Sequence, residues 1–124
     1  MAISFESTVE DGVLYVTARG RDESMEEVLE YGASLIEKAA EAGVTHVLCD
    51  ERQLEYALNT MQIFESAKQI AELVPRVAKV AIVCNPRDVD DGRFWETVAV
   101  NRGLQVSMGT DIEQARAWLL DRDS

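Results

Sequence analysis

Apolar and polar positions change their period along the chain. From Ile3 to Val9 they alternate, with Ile3, Phe5, Ser7 and Val9 set against Ser4, Glu6 and Thr8. A period of two marks a half-exposed strand. Glu10-Asp11-Gly12 reads as a hairpin turn, because glycine supplies the positive φ of a tight turn. Val13 to Arg19 (VLYVTAR) is then a second strand, antiparallel to the first. The period lengthens after Ser24-Met25-Glu26-Glu27, which fits a capping box in which Ser24 and Glu27 satisfy each other's amides. Val28, Leu29, Gly32, Leu35, Ile36 and Ala39 follow at helical spacing, and Gly43 is a C-terminal stop. Thr45 to Cys49 is a third strand. It is apolar on both faces beyond Thr45 and His46, which predicts a central place in a sheet.

Asp50 to Leu58 (DERQLEYAL) reads as a longer connection. Asn59 or Thr60 caps the next helix, which carries Met61, Phe64, Ala67, Ile70, Ala71 and Val74 and ends at Pro75. Val77 to Cys84 is a fourth, interior strand, and Asn85-Pro86-Arg87-Asp88 a turn. A third helix is predicted over Asp91 to Arg102, with Phe94, Trp95, Val98 and Ala99 inward and Gly103 as its stop. Leu104 to Met108 is a fifth strand. Thr110-Asp111-Ile112-Glu113 fits a second capping box, opening a helix that buries Ile112, Ala115, Trp118 and Leu119. The order ββαβαβαβα predicts an α/β domain: a mixed, mostly parallel five-stranded sheet with about four helices, in two or three layers.

Composition narrows the setting. A chain of 124 residues with 47% hydrophobic content fits one domain, residues 1–124, with one core and no need of a disulfide or metal staple. Cys49 and Cys84 each close an apolar run and read as buried free thiols of a reducing cytoplasm. The start MAISFESTVEDG lacks the basic and apolar regions of a signal peptide. No apolar run nears the roughly 18 residues of a membrane span, so no membrane insertion is expected. The net charge of −11 repels phosphate backbones and anionic membrane surfaces, which argues against nucleic-acid binding. It is compatible with a basic protein partner, though a solvated acidic surface explains it equally.

The opening hairpin, the segment LCDERQLEYALN and the ending RFWETVAVNRGLQVSMGTDIEQARAWL together resemble the STAS domains, and most closely their stand-alone SpoIIAA-like, anti-sigma-factor-antagonist-like branch. The likeness covers nearly the whole chain. It implies a regulatory or protein-binding module more often than an enzyme. In anti-sigma antagonists of the family, an Asp-Ser pair followed by Gly opens the second helix, and a partner kinase phosphorylates that serine. This chain has Leu58-Asn59-Thr60-Met61 there, with only the Thr60 hydroxyl near the helix start. The motif is therefore absent, and Asn59 and Thr60 are read as a structural cap at the family's switch position.

In an open α/β sheet, ligands sit beyond the carboxyl ends of the parallel strands. That rim is expected to carry Arg21, Asp50, Arg52, Asn85, Arg87 and Thr110, the candidate ligand-binding residues. Arginine suits a carboxylate or phosphate, but local pairing with Asp22, Asp50 and Asp88 is the plainer reading. His46 is the one histidine and is read as structural, since Cys49, three positions on, falls on the opposite face of a strand. One His, two separated Cys and scattered carboxylates make no metal-site spacing, and no cofactor or catalytic residue is assigned. Phe94 and Trp95 could line an apolar pocket, or serve the core alone.

The reading favoured is a non-catalytic regulatory or protein-interaction module, responsive to a small ligand, with its partner unidentified. A small-molecule or lipid carrier with an apolar pocket, and a small enzyme using Asp50 and a rim arginine, are the alternatives. A homodimer is expected from Tyr56, Met61 and Phe64, apolar side chains flanking the connection after the third strand.

Overall fold

The computed structural model describes residues 3–121; the remaining positions of the expected 1–124 domain lie outside it. Strands β1 (Ser4–Glu10) and β2 (Val13–Asp22) form the hairpin. Asp11 and Gly12 both take positive φ, 52° and 78°. That conformation matches the twist of paired strands, and a two-residue turn therefore closes the hairpin. Helix α1 (Met25–Ala42) leads to β3 (His46–Tyr56), α2 (Thr60–Leu73) to β4 (Lys79–Cys84), and α3 (Val89–Asn101) to β5 (Gln105–Gly109); α4 (Ile112–Leu120) follows. A short 3-10 turn, Pro86–Asp88, precedes α3.

The sheet order is β1-β2-β3-β4-β5, antiparallel for the first pair and parallel for the rest. Because consecutive strands are neighbours, crossovers of one hand put α1, α2 and α3 on one face. That face holds the larger core, in which Leu35 and Ala39 of α1, Ala67 and Ala71 of α2, and Val98 and Ala99 of α3 meet the strands. The chain passes to the other face only after β5. There Ala115 and Leu119 of α4 cover Val13, Leu48, Ala81 and Val83. The result is three layers with β3 at the centre of the sheet. The element order and the mixed, mostly parallel sheet are as the hydrophobic pattern predicts.

Several boundaries differ from the sequence expectation. The stretch read as a connection after Cys49 is strand as far as Tyr56, and β2 extends past Arg19 to pair with it, Gly20 with Leu54 and Asp22 with Tyr56. This pairing satisfies the backbone groups of the polar stretch DERQ, which is strand and not loop. The N-cap of α4 is Asp111, whose Oδ1 accepts from the amides of Glu113 (2.8 Å) and Gln114 (3.2 Å); Thr110 lies one residue outside. On α3 the inward positions are Gly92, Trp95, Val98 and Ala99, while Phe94 is 37% exposed. One residue along a helix turns the side chain by about 100°, enough to carry Phe94 off the face that Trp95 occupies.

Candidate functional site

The site begins with an irregularity in β3. Thr17 pairs with Asp50 and Arg19 with Gln53, so Glu51 and Arg52 together oppose the single residue Ala18. The extra residue is a β-bulge, and it inverts the alternation of side chains beyond it. Val47, Cys49 and Glu51 face the layer of α1, α2 and α3; after the bulge, Leu54 and Tyr56 face that same side. Glu51 and Tyr56 are thereby brought together. The Tyr56 hydroxyl donates to Glu51 Oε1 at 2.5 Å, and the Tyr31 hydroxyl, from α1, donates to Oε2 at 2.8 Å.

Glu51 is 7% exposed. Burial pushes its carboxyl above the ordinary carboxylate range, and the two tyrosine hydroxyls pull back against that rise. The same burial, reinforced by Glu51, pushes the Tyr31 and Tyr56 phenols up and keeps both protonated as donors. Asp22, at the end of β2, is pushed up to about 7 by burial, against the lowering effect of its hydrogen bond from the Ala57 amide at 2.7 Å. The thiols of Cys49 and Cys84 are also raised, first by burial and then by Glu51, that of Cys84 to about 11. Both cysteines are free and buried, as the sequence predicts.

These groups border a cavity of about 160 Å³ between the sheet and the three helices. Aliphatic side chains make most of its wall, among them Leu35, Leu54 and Ile70. Its polar lining includes Glu51, Tyr31, Tyr56, Asp22 and Asp91, with Trp95 from α3. The Trp95 indole donates to Ser66 Oγ at 3.1 Å, and Ser66 in turn donates to the Ile63 carbonyl, so the ring is fixed in place. Of the expected aromatic pair, Trp95 reaches this pocket and Phe94 does not. The sequence reading missed Glu51, Tyr31 and Tyr56. The one signal available was an acid, Glu51, two positions past the apolar run of β3 and in alternation with Val47 and Cys49.

The candidate residues at the strand ends are arranged differently. Arg52 holds Asp50 in a two-pronged pair, at 2.8 and 2.7 Å, and keeps its carboxyl below the usual range. Asn85 joins them, donating to the Arg52 carbonyl at 3.2 Å. Arg87 pairs with Asp88 at 3.3 Å, and Arg21, which lies in β2 instead of a loop, pairs with Glu23 at 3.2 Å. Asp50, Arg52 and Asn85 thus form one cluster, and Arg21 and Arg87 belong to separate pairs. Thr110 is exposed beside the α4 cap. His46 Nδ1 lies 3.2 Å from Thr45 Oγ1 at the opposite end of β3. Among the described residues, no three His, Cys, Asp or Glu side chains are placed to hold a metal ion, and no helix is long and apolar enough to cross a membrane.

Comparison with solved structures decides the fold. An anti-sigma factor antagonist from Mycobacterium paratuberculosis superposes with a TM-score of 0.67 at 11% identity, covering 97% of this chain and 96% of its own. The chain has a SpoIIAA-like fold. An uncharacterised protein of the DUF3478 family with a SpoIIAA-like fold, from Shewanella loihica, gives 0.58 at 18% identity, over 95% of this chain and 94% of the other. The anti-sigma factor antagonist SpoIIAA in its unphosphorylated form gives 0.53 at 11% identity, over 93% and 96%. No family model and no curated protein matches the sequence.

In this SpoIIAA-like domain the start of α2 is closed by its own residues. Asn59 accepts from the Gln62 amide at 2.9 Å, and the Gln62 side chain accepts from the Asn59 amide at 3.0 Å. That is a complete capping box, with Asn59 as the cap and Thr60 as the first helical residue. Met61 beside it is 69% exposed. Tyr56 and Phe64, expected to share an exposed apolar cluster with Met61, are instead half-buried. Tyr56 turns inward to Glu51, and Phe64 packs against the core with Arg102 over its ring at 5.8 Å.

Proposed function

We propose that this domain is a non-catalytic regulatory module that works by binding a protein partner and responds to a small ligand held behind its helical layer. The observation that carries the reading is the end-to-end likeness to two anti-sigma factor antagonists, each covered over at least 96% of its length. The partner-binding surface of this reading is the start of α2, where the exposed Met61 stands beside the closed Asn59 cap. Exposed methionine adapts to varied partner surfaces. The sequence there is Leu58-Asn59-Thr60-Met61, without the Asp-Ser-Gly of the phosphorylated antagonists, so the contact in this reading is not gated by phosphate at that position.

The enzyme alternative is weakened by electrostatics. A low carboxyl pKa makes Asp50, locked to Arg52, a poor base, and a raised thiol pKa makes Cys49 a poor nucleophile. The lipid-carrier alternative is weakened by size, since about 160 Å³ falls below the roughly 300–1,000 Å³ of sites for drug-sized molecules. A self-associating form of the module remains part of the proposal, with Met61 as its exposed apolar contact.

The test is affinity recovery of partners from the native cells with the parent protein, Met61→Asp and Val9→Asp. Val9, on the β1 edge, is 51% exposed and serves as the control. The reading expects one stoichiometric partner that Met61→Asp loses and Val9→Asp keeps. A partner retained by Met61→Asp would move the surface elsewhere, and recovery of no specific partner would overturn the reading.

A further inference from the structure

The buried carboxylate of Glu51 is costly as the structure stands. An ionised carboxylate offers about four acceptor positions, and the tyrosine hydroxyls occupy two. Hydrogen bonds from neutral donors leave its charge uncompensated in an apolar surround. Among the described residues lining the cavity there is no Lys, Arg or His, whereas Asp22 and Asp91 are there beside Glu51. The wall also presents three aromatic rings, those of Tyr31, Tyr56 and Trp95. Aromatic faces attract cations, most strongly where water is excluded.

We propose that the cavity is a binding site for a small organic cation, a primary amine with an apolar body, whose ammonium group pairs with Glu51 between Tyr31 and Tyr56. The inference gives a chemical class to the ligand in the proposed function. It rests on the ligand-responsive half of that reading and is independent of the protein partner. Size sets the apolar body. A cavity of about 150 Å³ lined by aliphatic side chains takes benzene, so the roughly equal space here suits one ring or a short branched chain. Charge sets the head group. An ammonium supplies donors for the roughly two acceptor positions that the tyrosines leave open on Glu51 and offsets the mutual repulsion of Glu51 and Asp22. A carboxylate or phosphate ligand would face three acids and no base.

The test titrates the full chain at neutral pH with four probes of one shape: benzylamine, benzyl alcohol, toluene and benzoate. Binding is read by calorimetry and by intrinsic tryptophan fluorescence, to which Trp95 and Trp118 both contribute. The expected result is saturable binding of benzylamine at least tenfold tighter than the other three, with Glu51→Gln removing that preference and leaving toluene unchanged. Should Glu51→Gln fail to fold, the ranking of the four probes on the parent protein decides alone. Toluene or benzoate binding as tightly as benzylamine, an unchanged benzylamine affinity in a folded Glu51→Gln, or no binding by any probe would each overturn the proposal. None of these outcomes touches the partner-recovery experiment, so the two readings fail separately.

Discussion

Tyr56 donates a hydrogen bond to Glu51 at 2.5 Å although the two lie an odd number of positions apart on the same strand. In a regular strand they would face opposite sides of the sheet. The bulge opposite Ala18 removes that conflict, and both side chains enter the cavity. Bulges re-aim side chains, and this one assembles the polar centre of the domain.

The pairing makes a first prediction. Tyr56→Phe keeps the ring and deletes one donor to a buried carboxyl, which should cost about 1–3 kcal/mol of stability. In a Glu51→Leu background the same change should cost far less, because no acceptor remains to be left unsatisfied. Glu51→Leu itself should be destabilising by about 1–3 kcal/mol, because it leaves the Tyr31 and Tyr56 hydroxyls without their acceptor. Urea denaturation of the four proteins closes this cycle. Equal costs of Tyr56→Phe in both backgrounds would show that the hydroxyl does not act through Glu51.

Asp22 makes stability depend on pH. Its carboxyl is pushed up to about 7 in the folded chain, above its ordinary value of 3.8. The folded state therefore holds the proton more tightly than the unfolded state. Stability contributed by the protonated group is complete below pH 4 or so and is lost as pH rises toward about 7. Asp22→Asn keeps an oxygen for the Ala57 amide and abolishes the titration. The variant should match the parent near pH 4 and exceed it at pH 8 by about 1 kcal/mol or more. A stability difference that does not change with pH would contradict the assignment.

How far the sequence disclosed this site follows from which rules hold locally. The element order was legible because alternation in Ile3–Val9 and helical spacing in Val28–Ala39 are set by which face is buried, and burial is written in the residue types. The bulge was not legible. Nothing in Glu51-Arg52 marks the extra residue, and a run of polar side chains after Cys49 reads as a loop until pairing with Gly20 and Asp22 is known. Tyr31 and Tyr56 belong to different elements, so their meeting at one carboxylate is a property of the packed fold. At the strand-end rim the plainer expectation of local pairing holds for Arg52 and Arg87, while Arg21 takes Glu23 instead of Asp22.

On the opposite face, Lys79 joins β4 to the end of α4. It is 6% exposed, and its ammonium donates to the carbonyls of Trp118 at 2.7 Å and Asp121 at 2.9 Å while lying 4.5 Å from the Trp118 ring. A cation is favoured at a helix C-terminus, where unpaired carbonyls collect. Lys79→Met should cost about 1–3 kcal/mol by removing the charged donor that those carbonyls share. Trp118→Ala should cost about 3 kcal/mol, since the ring packs on the smaller core and covers the ammonium. Thermal melts read both. An unchanged melting temperature for Trp118→Ala would show that α4 is held by Ala115 and Leu119 alone.

The start of α2 gives the last prediction. Asn59 already supplies the oxygen that the Gln62 amide needs, and Gln62 returns the bond. Asn59→Ala should therefore cost about 1 kcal/mol, as the loss of an N-cap usually does. Thr60 is exposed at the first helical position, and Thr60→Ala should change stability by no more than about 0.5 kcal/mol. A phosphate on Thr60 would suit the positive helix end electrostatically. The family resemblance implies a glycine after the switch residue, whereas this chain has the bulky, exposed Met61, a different surface for a kinase to meet. Thr60 is thus expected to carry no regulatory phosphate. Intact-mass measurement of protein isolated from its native cells, with phosphatases inhibited, should find the unmodified chain. A substantial phosphorylated species mapping to Thr60 would restore the phosphoswitch to this domain and make the Asn59 cap its accessory.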